Sequence, residues 1–123
     1  MLNKSHLISF AATSNEKTAR EFYEMTLGLK FVRGDQFALV FDANGTMLRI
    51  QKVDKVNPHR YTAVGWEVTD IEKEVSHLAA RGVTFSRYEG MDQDQHGIWN
   101  SPSGARIAWF TDPDGNVLSL TQF

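Results

Sequence analysis

The feature that most constrains the fold is a helix-to-strand junction that the chain uses twice. "LGLKF" at residues 27–31 and "RGVTF" at residues 81–85 stand at the same place in two successive halves, and such self-similarity points to one supersecondary unit repeated. In the first half "HLISFAA" reads as a strand and "TSNEKTAREFYEMTLG" as a helix. Thr13 and Glu16 have capping-box spacing, Ala19, Phe22, Tyr23 and Leu27 form an apolar stripe, and Gly28 supplies a left-handed stop. Strand material follows around Phe31, from Phe37 to Phe41 and from Met47 to Val53, with Asn44-Gly45 the clearest hairpin mark.

After a looser break at "DKVNPHR" the order begins again. "TAVGWEV" is a strand and "TDIEKEVSHLAARG" a helix, with Thr69 and Glu72 at capping-box spacing, Ile71, Val75, Leu78 and Ala79 on one face, and Gly82 at the stop. "VTFSRYEG", "GIWNSP", "ARIAWF" and "NVLSLTQF" supply further strands. The expected class is therefore α+β: tandem βαβββ units over residues 4–57 and 59–123, forming a curved mixed sheet around a cavity. Each helix covers one face of its strands and leaves the opposite face to that cavity.

With 123 residues, one domain buries roughly 65% of the surface of its unfolded chain and needs no staple. The absence of cysteine excludes thiolate ligands, a cysteine nucleophile and disulfides. A formal charge of −2 gives no long-range pull on phosphate backbones, so nucleic acid is not an expected partner. The apolar stretch in "MLNKSHLISFAATSN" is too short and interrupted for a signal peptide, and no run approaches a membrane span. The expectation is a soluble, cytoplasmic protein with no membrane partner.

The tandem arrangement, with "FYEMTLGLKFV" in the first half and "DPDGNVLSL" closing the second, resembles the vicinal oxygen chelate superfamily: glyoxalase I, bleomycin-resistance and fosfomycin-resistance proteins, and extradiol dioxygenases. The resemblance covers essentially the whole chain. It implies a small-molecule ligand, often a homodimer and, in metal-active members, His or Gln on the first strand of the first unit and Glu on its last. The second unit then offers His on its first strand and Glu shortly after the DPxGN turn. Carried over, the first position falls at Ile8, or at His6 if "AATS" holds a two-residue insertion; the others fall at Arg49, with Gln51 one step further, at Ala63 and at Ser119. At most one of four donors survives, whereas a divalent first-row metal takes three or four. The Arg49 guanidinium would also repel a cation. The expected cofactor is therefore none, with one divalent metal ion as the alternative.

Strand alternation puts Met47, Arg49 and Gln51, then Ala63, Gly65 and Glu67, then Val117, Ser119 and Thr121 on cavity faces. Arg49 suits a carboxylate, phosphate or enolate, or pairs with Glu67 as a binding site, an acid/base pair or an internal salt bridge. Trp99 and Trp109, near His96 and Arg106, offer aromatic walls to a flat ligand. His96 lies on a polar loop, and Asp92, Asp94 and His96 read as a solvated acidic loop rather than a metal site. "DPDGN" reads as a turn, because its glycine and acid spacing does not match a calcium loop.

The leading reading is a protein that binds a small apolar or aromatic molecule with the usual metal site lost, orienting it through Arg49 or His96. The same cavity could catalyse a metal-free proton transfer with Glu67 or His6 as base and Arg49 stabilising negative charge. The alternatives are a metal-dependent lyase, isomerase or dioxygenase, and a structural or protein-interaction module whose cavity is filled by side chains.

Overall fold

A computed structural model describes residues 1–123. After a short 3₁₀ turn at Leu2–Lys4, the first unit runs β1 (Ile8–Thr13), α1 (Glu16–Glu21), β2 (Lys30–Gly34), β3 (Ala38–Ala43) and β4 (Thr46–Lys52). The second runs β5 (Val64–Glu67), α2 (Ile71–Ala80), β6 (Trp99–Asn100), β7 (Arg106–Thr111) and β8 (Val117–Gln122). Each unit forms a four-stranded mixed sheet, ordered β1-β4-β3-β2 and β5-β8-β7-β6. In each, the first strand runs parallel to the last and the remaining pairs are antiparallel. The two sheets remain separate and do not close. The βαβββ repeat expected from the sequence is thus realised in both halves.

Both helices start on an Asx cap rather than on the expected capping boxes. Asn15 Oδ1 accepts from Thr18 N at 3.2 Å and Asp70 Oδ1 from Lys73 N at 3.1 Å, so α1 begins two residues later than Thr13 suggests and α2 one residue later than Thr69 suggests. Thr13 Oγ1 instead donates to Asn15 O and accepts from Asn15 N, folding the chain out of β1. The helix begun by α1 widens into a π-turn over Phe22–Thr26 and stops at Gly28, whose φ of 76° needs a residue without a Cβ. Gly82, at φ 92°, ends the region of α2 in the same way. Asn44 (φ 51°) and Gly45 (φ 92°) give the two-residue turn between β3 and β4 its mirror-image geometry.

"VTFSRYEG" is not a strand, contrary to expectation. Ser86 N donates to Trp109 O, but no ladder continues from it. The Gln93 side chain takes the place of a neighbouring strand, accepting from Tyr88 N and donating to Ser86 O and Gly97 O. β6 is accordingly only two residues long.

One face of each sheet packs into a single core. Leu39, Phe41, Leu48 and Ile50 from the first sheet join Val64, Ala108, Phe110, Leu118 and Leu120 from the second, with Ala19 and Tyr23 and with Ile71, Val75 and Leu78 of α2 between them. Full burial of such a side chain stabilises by roughly 1.5–3 kcal/mol. Ala79, expected on the buried face of α2, is exposed.

The turn at Asp112–Asn116 clasps the two units together. Asp112 Oδ1 accepts from Asp114 N and Asn116 N, and its Oδ2 accepts from Asn116 Nδ2 and, at 2.6 Å, from the hydroxyl of the fully buried Tyr23. Asn116 Nδ2 also donates to Ala12 O, and Asp114 Oδ1 accepts from Ser14 N and Oγ. Burial, then the adjacent Asp112 charge and hydrogen bond, push the Tyr23 phenol far above the ordinary tyrosine range. A side chain at Gly115 would come within 3.3 Å of Pro58 in the segment joining the units. No helix is long and apolar enough to cross a membrane.

Candidate functional site

Because one face of each sheet is committed to the core, the other faces point away from it, and ladder register sets which side chains meet there. On the first sheet Phe10, Arg49 and Val40 form one row across β1, β4 and β3. Met47 lies beside Ile8 and Asp42, and Gln51 beside Ala12 and Ala38. On the second, Gly65, Ser119 and Trp109 form the matching row across β5, β8 and β7. Trp99 continues toward the edge of that sheet, 6.1 Å from Trp109 between ring centroids, and Tyr88 meets Trp109 edge-on at 5.5 Å.

The expected grouping on two faces therefore forms, but not one cavity holding both within a single chain. The cavities beside α1 and β2, between β1 and β5, and beside α2 are lined by neither Arg49 nor Trp109. Arg49 and Glu67 make no ion pair, since the chain's salt bridges are Arg20–Glu24, Lys52–Glu16 and Arg106–Glu72. The reason is geometric: the two faces diverge from the shared core. Arg49 instead acts on Asp35, whose carboxyl is held below its usual range first by hydrogen bonds from Phe37 N and Ala38 N and then by the charges of Arg49 and Arg33.

Arg106 departs from its expected place beside the tryptophans. It pairs in register with Asn100 and Gln122, the opposite parity to Trp109, and its Nη2 donates to Glu72 Oε1 of α2 at 2.8 Å. His96 lies on the exposed loop ahead of β6, where Asp94 Oδ1 accepts from the backbone N of His96 and of Ile98. That loop is ordered by its own aspartate. Gln51 and Glu67 are exposed, while Ser119 is 5% exposed, with its Oγ accepting from Thr62 Oγ1 at 3.2 Å. Gly65 is small for this reason: a Cβ there would lie 3.0 Å from Ser119 Oγ. Phe10, 48% exposed on the edge strand of the first face, was not singled out from the sequence, although its two-residue spacing from Ile8 carries it to that face.

Internal symmetry sets Ile8, rather than His6, in the place that Ala63 takes in the second unit. Arg49 pairs with Phe10 and Ser119 with Gly65; the residues two positions earlier are Ile8 and Ala63. His6 lies two positions further back, exposed and ahead of β1. The four positions carried over from the resemblance, with Ile8 as the first, present Ile8, Arg49, Ala63 and Ser119, a set with one weak oxygen donor and one fixed positive charge. Those residues do not fit a divalent cation, and no group of three His, Asp or Glu side chains suited to a metal ion gathers elsewhere.

Two βαβββ units sharing one core, each with a second face turned away from it, define a tandem βαβββ protein. The model of the Glyoxalase/Bleomycin resistance protein/Dioxygenase superfamily matches residues 6–120, and the chain belongs to that superfamily. Among solved structures it is similar to a member of that superfamily from Sphaerobacter thermophilus DSM 20745, at 27% identity and TM-score 0.73 over 95% of this chain and 97% of that one. A putative glyoxalase family protein from Bacillus anthracis has 18% identity and TM-score 0.73, over 99% and 98% of the two chains. Lactoylglutathione lyase from Agrobacterium tumefaciens has 17% identity and TM-score 0.70, over 96% and 93%. The last two likenesses speak to the fold alone. No curated protein matches the sequence.

Proposed function

We propose that this protein binds a small aromatic or apolar molecule, without a metal at its centre, in a cavity completed when the β1-β4-β3 face of one copy covers the β5-β8-β7 face of another. The observation that carries the reading is the pair of matched rows. One presents Phe10, Arg49 and Val40, the other Gly65, Ser119 and Trp109 beside Trp99. Ile8 and Phe10, 45% and 48% exposed, give an apolar wall opposite the indoles, Gly65 leaves room, and Arg49 orients an acidic substituent through charge-assisted hydrogen bonds. Side chains unsuited to a metal at all four ligand positions support binding over metal-dependent lyase, isomerase or dioxygenase chemistry.

Thermal shift with 1-naphthoate, after dialysis against chelator, tests the reading, because a ligand that prefers the folded state raises Tm. The expected result is a saturable rise that Trp109→Ala abolishes, with light scattering showing a dimer. A rise that requires added nickel, zinc or manganese would contradict the metal-free part, and a monomer that binds as tightly would contradict the shared cavity.

A further inference from the structure

Two glycines follow a residue whose side-chain carbonyl lies within reach of the glycine's own backbone nitrogen: Gly45 after Asn44, and Gly115 after Asp114. Attack by that nitrogen closes a five-membered imide ring, and glycine favours it because no Cβ crowds the approach. The two pairs stand in opposite surroundings. Asp114-Gly115 is held by the clasp: Asp114 Oδ1 accepts from Ser14, its Oδ2 is enclosed, and Gly115 N donates to Asp112 O at 3.0 Å. A Cβ at Gly115 would already press on Pro58. Asn44 and Gly45 are both exposed, and a Cβ at Gly45 would meet nothing within 4 Å. We propose that Asn44 is a self-modification site, where the side-chain amide is converted to aspartate and isoaspartate, and that Asp42 restrains the reaction as a positioning residue.

In the ring-closing step Gly45 N gives its proton to solvent base and bonds to Asn44 Cγ, while the Cγ–Nδ2 bond breaks and ammonia leaves with a proton taken from water. Water then opens the imide. Opening at Cγ gives aspartate; opening at the main-chain carbonyl gives isoaspartate, whose peptide link runs through Cγ. Asp42 bears on the first step, because its Oδ1 accepts from Gly45 N at 2.8 Å. A carboxylate in that place holds the proton on the attacking nitrogen and disfavours the anion that its loss would leave. The contact also braces the turn in its mirror-image form, with Asn44 at φ 51°. The closed hairpin thus slows the reaction, and local opening of an exposed loop tip releases it. The products change the neighbourhood. Isoaspartate lengthens the backbone of a turn whose register aligns Val40 with Arg49. Either product adds a carboxylate to the cavity between β1 and β5, which Asn44 lines together with Glu67.

Peptide mapping by mass spectrometry, with electron-transfer fragmentation to separate aspartate from isoaspartate, tests this on the full chain incubated folded and in urea. Asn44 is expected to convert ahead of every other asparagine, including Asn100 with its following serine. Folded Asp42→Ala is expected to convert severalfold faster than the folded wild type. In urea, where the Asp42 contact is gone, the two are expected to convert at equal rates. Asp42→Asn keeps an acceptor oxygen without the charge; its folded rate is expected between the two, and it decides the matter if Asp42→Ala loosens the hairpin. Earlier conversion at Asn100, an intact Asn44 in the folded protein once the chain in urea has reacted, or equal folded rates with and without the Asp42 carboxylate would each overturn the proposal. No ligand enters this test, so its outcome is independent of the binding proposed above.

Discussion

The two units share a topology and a register yet distribute bulk and charge in opposite ways. Across the first sheet the central row places Phe10 on the edge strand, Arg49 in the middle and Val40 inside; across the second it places Gly65 on the edge, Ser119 in the middle and Trp109 inside. Their hairpins differ as well. The first closes on the tight Asn44-Gly45 turn, while the second closes on Asp112–Asn116, which reaches across to Ala12, Ser14 and Tyr23 of the first unit. A duplicated backbone therefore carries two unlike outcomes: one hairpin joins the halves, and the two rows give faces that differ in bulk and charge.

The clasp carries the largest expected effect. Tyr23→Phe leaves a buried carboxylate oxygen short of its phenolic donor, and urea denaturation is expected to show a loss of about 2–3 kcal/mol. The pH dependence follows from the raised phenol. Below the ordinary tyrosine pKa of 10.0 the contribution is fully present; as pH climbs above it the unfolded chain releases the proton first, so stability falls. Tyr23→Phe is expected to flatten that alkaline loss, and an unaltered alkaline limb would show that the clasp does not depend on this hydroxyl.

Next in size is the contrast between the edge residues of the two rows. Gly65→Ala pushes a methyl group against Ser119 Oγ, where the gap is 3.0 Å, at an expected cost of about 1–2 kcal/mol. Adding Ser119→Ala is expected to recover most of it, while Phe10→Ala, half exposed in the single chain, costs less than Gly65→Ala in dilute monomer. Thermal melts of the four proteins check the ordering, and a Gly65→Ala loss untouched by Ser119→Ala would break the account of why that glycine is there.

The smallest stability effect falls on Arg49. Arg49→Gln removes no salt bridge, so a change within about 0.5 kcal/mol is expected. Its affinity for 1-naphthoate is expected to drop roughly five- to tenfold, the value of one charge-assisted contact at a partly exposed site. Equal affinities for naphthoate in the two proteins would remove Arg49 from the site.

The fold was legible because the repeat, the left-handed glycines and strict alternation along β4 and β8 all act locally. Leu48, Ile50, Leu118 and Leu120 entered the core as alternation required. What escaped was set by distant partners. "VTFSRYEG" has strand composition, but the Gln93 amide satisfies its backbone instead of a ladder. Arg106 sits among tryptophans in the sequence, yet parity turns it to α2 and Glu72. The pairing of Arg49 with Glu67 assumed that both faces line one cavity, and only the shared core reveals that they diverge. "DPDGN" was readable as a turn, whereas its grip on Tyr23 spans 89 residues of sequence.

The most direct measurement is an indole NMR titration of the chelator-treated protein with 1-naphthoate, in which the three tryptophans report separate places. Saturable shifts of Trp99 and Trp109 are expected, with Trp66 unmoved and no change on adding a divalent metal. Binding that appears only with metal, or that moves Trp66 alone, would contradict it.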